Sequence, residues 1–228
     1  MPPVVAIVAR APSRAGKSRL MRELETSQGE GLRRALLLDT LAAVAPVEAA
    51  KVILHTPAEA DGEMRALTPF DATFLPQSGE TLGDRMRNAV AALLGQGFDR
   101  VILVGADLPA LPTSHVTAAF ALLEPTHADV VVAPADDGGY SLIGVRAVYD
   151  ELFDGIAWGT AAVLGQTLDA AAARGLRVER LPPCYDVDRL TDLRRLWREA
   201  REGVALHTRA WVASAEPAVR AAIESQGL

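Results

Sequence analysis

Short runs of aliphatic and β-branched residues alternate with segments whose apolar positions recur every three or four residues, almost from end to end of the chain. The runs predict strands at Val4–Ala9, Lys51–Thr56, Ala72–Leu75, Arg100–Gly105, Val130–Pro134, Tyr140–Val145 and Arg177–Leu181. Val101–Val104 is apolar without interruption, as expected of a strand covered on both faces. Between the strands, Leu32, Leu36, Leu37, Leu41 and Val44 keep one helical stripe, and Leu82, Met86, Ala89, Val90 and Leu93 keep another. Thr81 is placed to cap the second, with Asp84 reaching back three residues later. Leu190, Leu193, Leu196 and Trp197 form a third stripe, and residues from about 203 onward predict one or two terminal helices.

Strand–helix alternation implies a mainly parallel sheet with helices on both faces. The link Ala135–Gly139 interrupts it, because five residues cannot make a parallel crossover, so one strand there runs antiparallel or leaves the sheet. With no repeat, low-complexity tract or linker, residues 1–228 are expected to form a single domain.

Composition narrows the function classes. The net charge of −6 gives no overall basic field, which argues against a nucleic-acid partner. The lone cysteine, Cys184, excludes an intrachain disulfide and a thiolate zinc site. No segment approaches the roughly 18 apolar residues of a membrane span, and Val4–Ala9 is too short for a signal core, so no membrane partner and a cytoplasmic location are expected.

Against this acidic background, the first 22 residues hold five basic side chains (Arg10, Arg14, Lys17, Arg19, Arg22) and no acidic one. A basic loop at the carboxyl end of a first strand is where α/β sheets hold phosphates, and Lys17 and Arg19 suit phosphate oxygens. Gly16-Lys17-Ser18 copies the end of a P-loop, but Ala11-Pro12 stands where its first glycine and a backbone donor are needed. A transferase phosphate loop and a solvated basic surface remain as readings.

Acidic residues follow at strand ends. Asp107, after the strand Arg100–Gly105, sits where ligands bind; it suits Mg²⁺ or Mn²⁺ on a diphosphate, or a cap on the helix starting near Pro112–Ser114. Asp136-Asp137-Gly138-Gly139 reads either as a hairpin turn or as a close backbone approach to a ligand. Thr160 reads as the N-cap of the Ala-rich helix to Ala173, and Trp158 as core or as a stacking platform. Asp186 and Asp188 fall on one side of an extended segment; either completes a metal site with Asp107, or Asp188 caps the next helix. The four histidines lack ligand spacing, and Ser18 and Ser141 lack a triad pattern.

In order, Pro12…Gly16-Lys17-Ser18-Arg19-Leu20, Leu82-Gly83-Asp84-Arg85-Met86, Gly105-Ala106-Asp107-Leu108-Pro109, Pro134 to Tyr140, Trp158-Gly159-Thr160 and Asp186-Val187-Asp188 resemble the DUF2064 family of glycosyltransferase-A-like proteins over roughly residues 4–200. The resemblance implies the nucleotide-diphospho-sugar transferase superfold, a three-layer α/β/α sandwich with a mixed, mainly parallel sheet. It also implies glycosyl transfer from a nucleotide sugar to a small acceptor. Lys17-Ser-Arg-Leu20 and Asp186-Val-Asp188 are similar to segments of 2-phospholactate guanylyltransferase and the molybdenum-cofactor nucleotidyltransferases, which implies nucleotidyl transfer from an NTP as the alternative. A non-catalytic nucleotide-binding protein is the third reading.

The expected site follows. Asp107, Lys17 and Asp186 are the catalytic candidates, and Asp107 and Asp188 the ligands of Mg²⁺ or Mn²⁺. Arg10, Pro12, Gly16, Lys17, Ser18 and Arg19 form the expected nucleotide loop. Arg85, Gly138, Gly139, Tyr140, Trp158 and Thr160 complete the expected substrate contacts.

Overall fold

A computed structural model describes residues 2–24 and 28–225. In chain order the elements are β1 (Pro3–Arg10), α1 (Ser18–Leu24), α2 (Gly29–Val44), β2 (Ala50–Thr56), α3 (Asp61–Leu67), β3 (Thr73–Pro76), α4 (Leu82–Gly95), β4 (Arg100–Gly105) and α5 (Thr113–Leu122). Then come β5 (Val130–Pro134), β6 (Tyr140–Val145), α6 (Val163–Ala173), β7 (Val178–Arg180), α7 (Leu190–Glu199), α8 (Leu206–Ser214) and α9 (Pro217–Glu224). Among the described residues no helix is long and apolar enough to cross a membrane.

The strands form one sheet in the order β3-β2-β1-β4-β6-β5-β7. All neighbouring pairs are parallel except those made by β6, which runs antiparallel to both β4 and β5. The short link therefore closes a β5–β6 hairpin, with Ala135 N–H donating to Gly139 O at 3.0 Å. The order reverses direction between β1 and β4, and a crevice opens at such a switch point beyond the carboxyl ends of the strands. The loops after β1 and β4 both enter it.

The five inner strands β1, β2, β4, β5 and β6 are buried on both faces, as the apolar runs require, while the edge strands β3 and β7 stay partly exposed. Val5, Ile7, Ile53, Ile102, Val104 and Val131 pack with Leu37, Leu41 and Val44 of α2, Met64 of α3 and Val116 and Phe120 of α5. On the opposite face Val4, Ala6, Leu54, Val101, Leu103 and Ile143 pack with Met86, Val90 and Leu93 of α4, with Phe153 from the segment between β6 and α6, and with Ala171 of α6. These layers form the α/β/α sandwich.

Helix α2 is apolar on two sides. Its Leu32 and Leu36 face a third cluster with Leu20, Val187, Leu193, Leu196, Val212 and Ile223, which seats α1 and the last three helices. Asp39 of α2 is buried because it accepts from the His207 and Thr208 N–H groups, both at 2.8 Å. It thus satisfies the free amides at the start of α8.

The cap expected at Thr81 forms as a reciprocal box: Asp84 N–H donates to Thr81 Oγ at 3.1 Å, and Thr81 N–H to the Asp84 carboxylate at 3.0 Å. The cap expected at Thr160 does not. Helix α6 starts at Val163 behind Ala162, and Thr160 Oγ instead donates to Ala157 O at 2.7 Å and accepts from Ala162 N–H at 3.3 Å. Thr160 closes the turn before the helix, because the turn of residues 159–162 separates it from the helical backbone.

Candidate functional site

A cavity of about 520 Å³ opens at the switch point. The loop after β1, the exit of β4, the β5–β6 turn, the segment 158–160 and the acidic stretch before α7 border it.

Its floor is a cluster of opposite charges. The Lys17 ammonium contacts the Asp107 carboxylate and lies 3.3 Å from Asp188 Oδ1 and 3.6 Å from Asp186 Oδ2. Backbone bonds bring these segments together. Val187 N–H donates to Asp107 O at 3.1 Å, and Leu108 N–H donates to Thr40 Oγ at 3.0 Å, fixing the chain on both sides of Asp107. Val187 is fully buried in the third cluster, so alternation turns Asp186 and Asp188 the other way, toward Lys17.

The Asp188 carboxylate takes no cap. Asp192 organises the start of α7 by accepting from the Asp188 and Arg189 N–H groups at 3.0 and 2.7 Å. Nor does Asp107 cap α5, whose N-cap is Pro112 with no side-chain bond. Lys17 takes a left-handed backbone conformation, φ 55°, uncommon outside glycine.

The electrostatics follow from this packing. Burial alone would lower the Lys17 pKa, but Asp107, Asp186 and Asp188 outweigh it and hold the ammonium above its ordinary range. Burial, then the charge of Asp107, push Asp186 up to about 6, with Lys17 opposing. Burial keeps the neighbouring Cys184 thiol protonated, its pKa raised to about 11.

Two more cations flank the first loop, one from the end of β1 and one from α2. Arg10 and Arg33 line the cavity on either side of Gly16, where an added Cβ would lie 3.5 and 3.6 Å from their Cδ atoms. Arg33 Nε donates to Pro12 O at 2.9 Å, which fixes the buried Pro12 bend. Arg33 belongs to α2, outside the basic loop. Its only sequence signal is a basic residue beside the Leu32–Leu36 stripe, which any exposed helix face would also show.

The opposite wall is apolar: Leu82, Met86, Trp158, Val163 and Tyr140. Trp158 Nε1–H donates to Phe153 O at 3.2 Å, and its ring meets Tyr140 edge-on at 6.2 Å. Gly139 and Asp137 of the hairpin turn also line the cavity, the Asp137 carboxylate accepting from Gly139 N–H at 2.9 Å. Gly138, at φ 88°, packs instead against the Ala161 backbone, where a side chain would collide.

Of the expected site residues, Arg10, Gly16, Lys17, Asp107, Gly139, Tyr140, Trp158, Thr160, Asp186 and Asp188 border the cavity. Pro12, Ser18, Arg19, Arg85 and Gly138 lie outside its lining. Ser18 opens α1 with its carbonyl accepting from Arg22 Nε, and Arg85 Nε donates to Gly79 O at 3.0 Å. Arg19 reaches Asp188 Oδ2 at 3.4 Å from the far side.

The carboxylate oxygens of Asp107, Asp186 and Asp188 are hard donors of the kind Mg²⁺ and Mn²⁺ take, and they already surround one cationic atom. Among the described residues no group of three His, Cys, Asp or Glu stands ready as a metal-ligand set. The point where the carboxylates converge is taken by Lys17. The donor set therefore fits a divalent ion in its chemistry, provided that the ammonium moves aside.

The model of the family described as "Uncharacterized protein conserved in bacteria (DUF2064)" matches residues 38–160, which include Asp107 and the hairpin turn but neither Lys17 nor Asp186. A phosphoenolpyruvate guanylyltransferase of Mycobacterium leprae (strain Br4923) is 35% identical over 120 residues, 50% of this chain and 55% of that protein. The chain thus matches about half the length of these curated relatives. Among solved structures, a candidate nucleotide-diphospho-sugar transferase from Desulfovibrio desulfuricans G20 superposes with a TM-score of 0.85 and 31% identity, covering 95% of this chain and 96% of that one. A CMP:2-keto-3-deoxy-manno-octonic acid synthetase complexed with CTP superposes with a TM-score of 0.56 at 11% identity, over 86% of this chain and 97% of the other, a likeness of fold alone.

Proposed function

The chain belongs to the DUF2064 family of the nucleotide-diphospho-sugar transferase superfold, and we propose that it is a metal-assisted transferase that takes a nucleotide-activated donor and a small-molecule acceptor. One observation carries the reading: three carboxylates and a lysine converge at the carboxyl end of β4, in a cavity that also holds two arginines and an apolar wall.

Each part has a task in such a reaction. Leu82, Met86 and Trp158 offer a surface for the flat, weakly polar part of the donor, and Arg10 and Arg33 offer guanidinium donors to its phosphates. Asp107 and Asp188 would hold Mg²⁺ or Mn²⁺, which when bound neutralises the charge that develops on the diphosphate. Lys17, once released from the carboxylates, reaches the same phosphates as a second neutralising charge. Asp186, with a pKa near 6, is mostly ionised at neutral pH and able to accept a proton from an acceptor hydroxyl.

Two reactions share this machinery. Similarity to the guanylyltransferase of M. leprae favours nucleotidyl transfer, in which the acceptor attacks the donor's α-phosphorus and pyrophosphate leaves. The D. desulfuricans relative favours glycosyl transfer, in which the acceptor attacks the sugar and a nucleoside diphosphate leaves. A thermal-shift screen of nucleoside triphosphates and nucleotide sugars, with and without Mg²⁺ or Mn²⁺, separates them. Saturation at a hundredfold excess over Kd adds about 2.7 kcal/mol. Preference for triphosphates selects the first, and preference for nucleotide sugars the second. Binding that ignores the metal would reduce the protein to a nucleotide-binding module.

A further inference from the structure

We propose that the Lys17 ammonium and a divalent cation are alternative occupants of one position among Asp107, Asp186 and Asp188, so that the cation enters when the phosphates of a nucleotide draw the ammonium away. The phosphates come from the transferase reading, whereas the exchange of the two cations rests on the cluster alone.

One ammonium offers three N–H donors, and here it faces three carboxylates. Lys17 Nζ contacts Asp107 and lies 3.3 Å from Asp188 Oδ1 and 3.6 Å from Asp186 Oδ2. A divalent ion sits about 2.0–2.6 Å from its carboxylate oxygens. An ion shared by Asp107 and Asp188 at such distances would overlap the ammonium. The two cations exclude each other by volume and by charge.

An ion that arrives alone leaves the ammonium without a partner. The Lys17 side chain is 12% exposed, and an unpaired buried charge is costly. Among the described residues, the other charged side chains of the cavity lining give it no refuge. Arg10 and Arg33 are themselves cations, and Asp137 acts on Asp186 rather than on Lys17. Free Mg²⁺ or Mn²⁺ should therefore bind the empty protein weakly.

Phosphates change this balance. Arg10 and Arg33 flank Gly16, the residue before Lys17. A phosphate held by both guanidinium groups lies beside the root of the lysine side chain, whose flexible four-carbon stem can turn toward it. The backbone stays in place, because the loop is pinned on both sides of Lys17. Arg33 Nε donates to Pro12 O at 2.9 Å, Ser13 N–H to Glu63 Oε1 at 2.9 Å and Met21 N–H to Lys17 O at 2.8 Å. Once the ammonium pairs with phosphate, the three carboxylates recover their full charge for the ion. Nucleotide and ion then raise each other's affinity by the same factor, and Lys17 sets part of it.

The test titrates Mn²⁺ and follows the paramagnetic resonance signal of the free ion. Proteins are the wild type, Lys17→Met, Lys17→Gln and Arg19→Gln, each checked for folding by its melting temperature. Lys17→Gln keeps a donor to the carboxylates and serves if Lys17→Met does not fold. Arg19→Gln removes an equal charge beside Asp188, but from outside the shared position. Without nucleotide, the Lys17 variants should bind Mn²⁺ at least about tenfold more tightly than the wild type, within the usual range of coupling between ligands. Arg19→Gln should gain at most about fivefold, the scale of an exposed ion pair. GTP and UDP-glucose affinities, each measured with and without Mn²⁺, should show a smaller metal effect in the Lys17 variants than in the wild type. The proposal is overturned if the wild type binds Mn²⁺ alone as tightly as the Lys17 variants, if Arg19→Gln gains as much as they do, or if no protein binds the ion. If the Lys17 variants gain Mn²⁺ affinity while no protein binds either nucleotide, the shared position stands and the transferase reading falls.

Discussion

The ammonium of Lys17 lies against the carboxylate of Asp107, which ties the loop after the first strand to the exit of the fourth across the switch point of the sheet. With Asp186 and Asp188 on its other sides, Lys17 is the internal cation of an acidic cluster, and this changes what its removal does.

Lys17→Ala should destabilise the protein without ligand by about 1–3 kcal/mol, because three half-buried carboxylates lose their shared counter-charge. A solvated loop lysine would cost almost nothing. Mg²⁺ should restore part of the loss. Urea denaturation with and without the ion measures both effects, and an unchanged midpoint would mean that Lys17 does not hold the cluster.

Asp107→Asn should abolish the metal-dependent part of nucleotide binding while lowering stability by only about 1 kcal/mol, since Lys17 keeps Asp186 and Asp188. Thermal shift with GTP and a nucleotide sugar, each with and without Mn²⁺, gives the readout. A variant with the wild-type metal dependence would remove Asp107 from the assignment.

Gly83→Ala sets two effects against each other. Alanine gains up to about 1 kcal/mol in helix propensity over glycine. A methyl group there would collide with the Trp158 indole nitrogen and the Phe153 carbonyl, which overpacks a tight contact at about 1–3 kcal/mol. The steric term should win. The variant should melt lower and bind nucleotide more weakly as Trp158 is pushed from the cavity wall, and a higher melting temperature would contradict the packing.

The acid limb of stability should carry the mark of Asp129. Its carboxylate accepts from Arg177 Nη2 at 2.8 Å and from the Arg177 backbone and Nε, both at 3.0 Å. These bonds lower its pKa from 3.8 to about 2. A lowered folded-state pKa stabilises above the unfolded value, so the contribution is complete above about pH 4 and is lost as pH falls toward 2. Arg177 is half exposed, so solvent screening limits it to about 1 kcal/mol. The difference in unfolding free energy between wild type and Asp129→Asn should shrink over this window, and a constant difference would exclude the pair as its source.

What the sequence determined by itself is what local physics controls. Short apolar runs rich in β-branched residues favour covered strands, and all seven of the expected strands formed, with Arg100–Gly105, Val130–Pro134 and Tyr140–Val145 at the expected bounds. The five-residue link could not make a parallel crossover, which left an antiparallel strand or one outside the sheet, and the pairing of β6 with β4 and β5 selects the first. The Thr81–Asp84 box depends on residues three apart.

The tertiary structure decided which side chains meet. Asp107 and Asp188 each had a reading as a helix cap, and nothing local separated cap from cluster. The choice came from the sheet order, which sets β1 beside β4, and from the burial of Val187, which turns its neighbours toward Lys17. The same applies to Arg33: a basic residue on an amphipathic helix has no address until α2 is laid across the sheet, and only then does it reach Pro12 and the cavity. Side chains far apart in sequence meet through strand order and packing, and neither is encoded in any single segment.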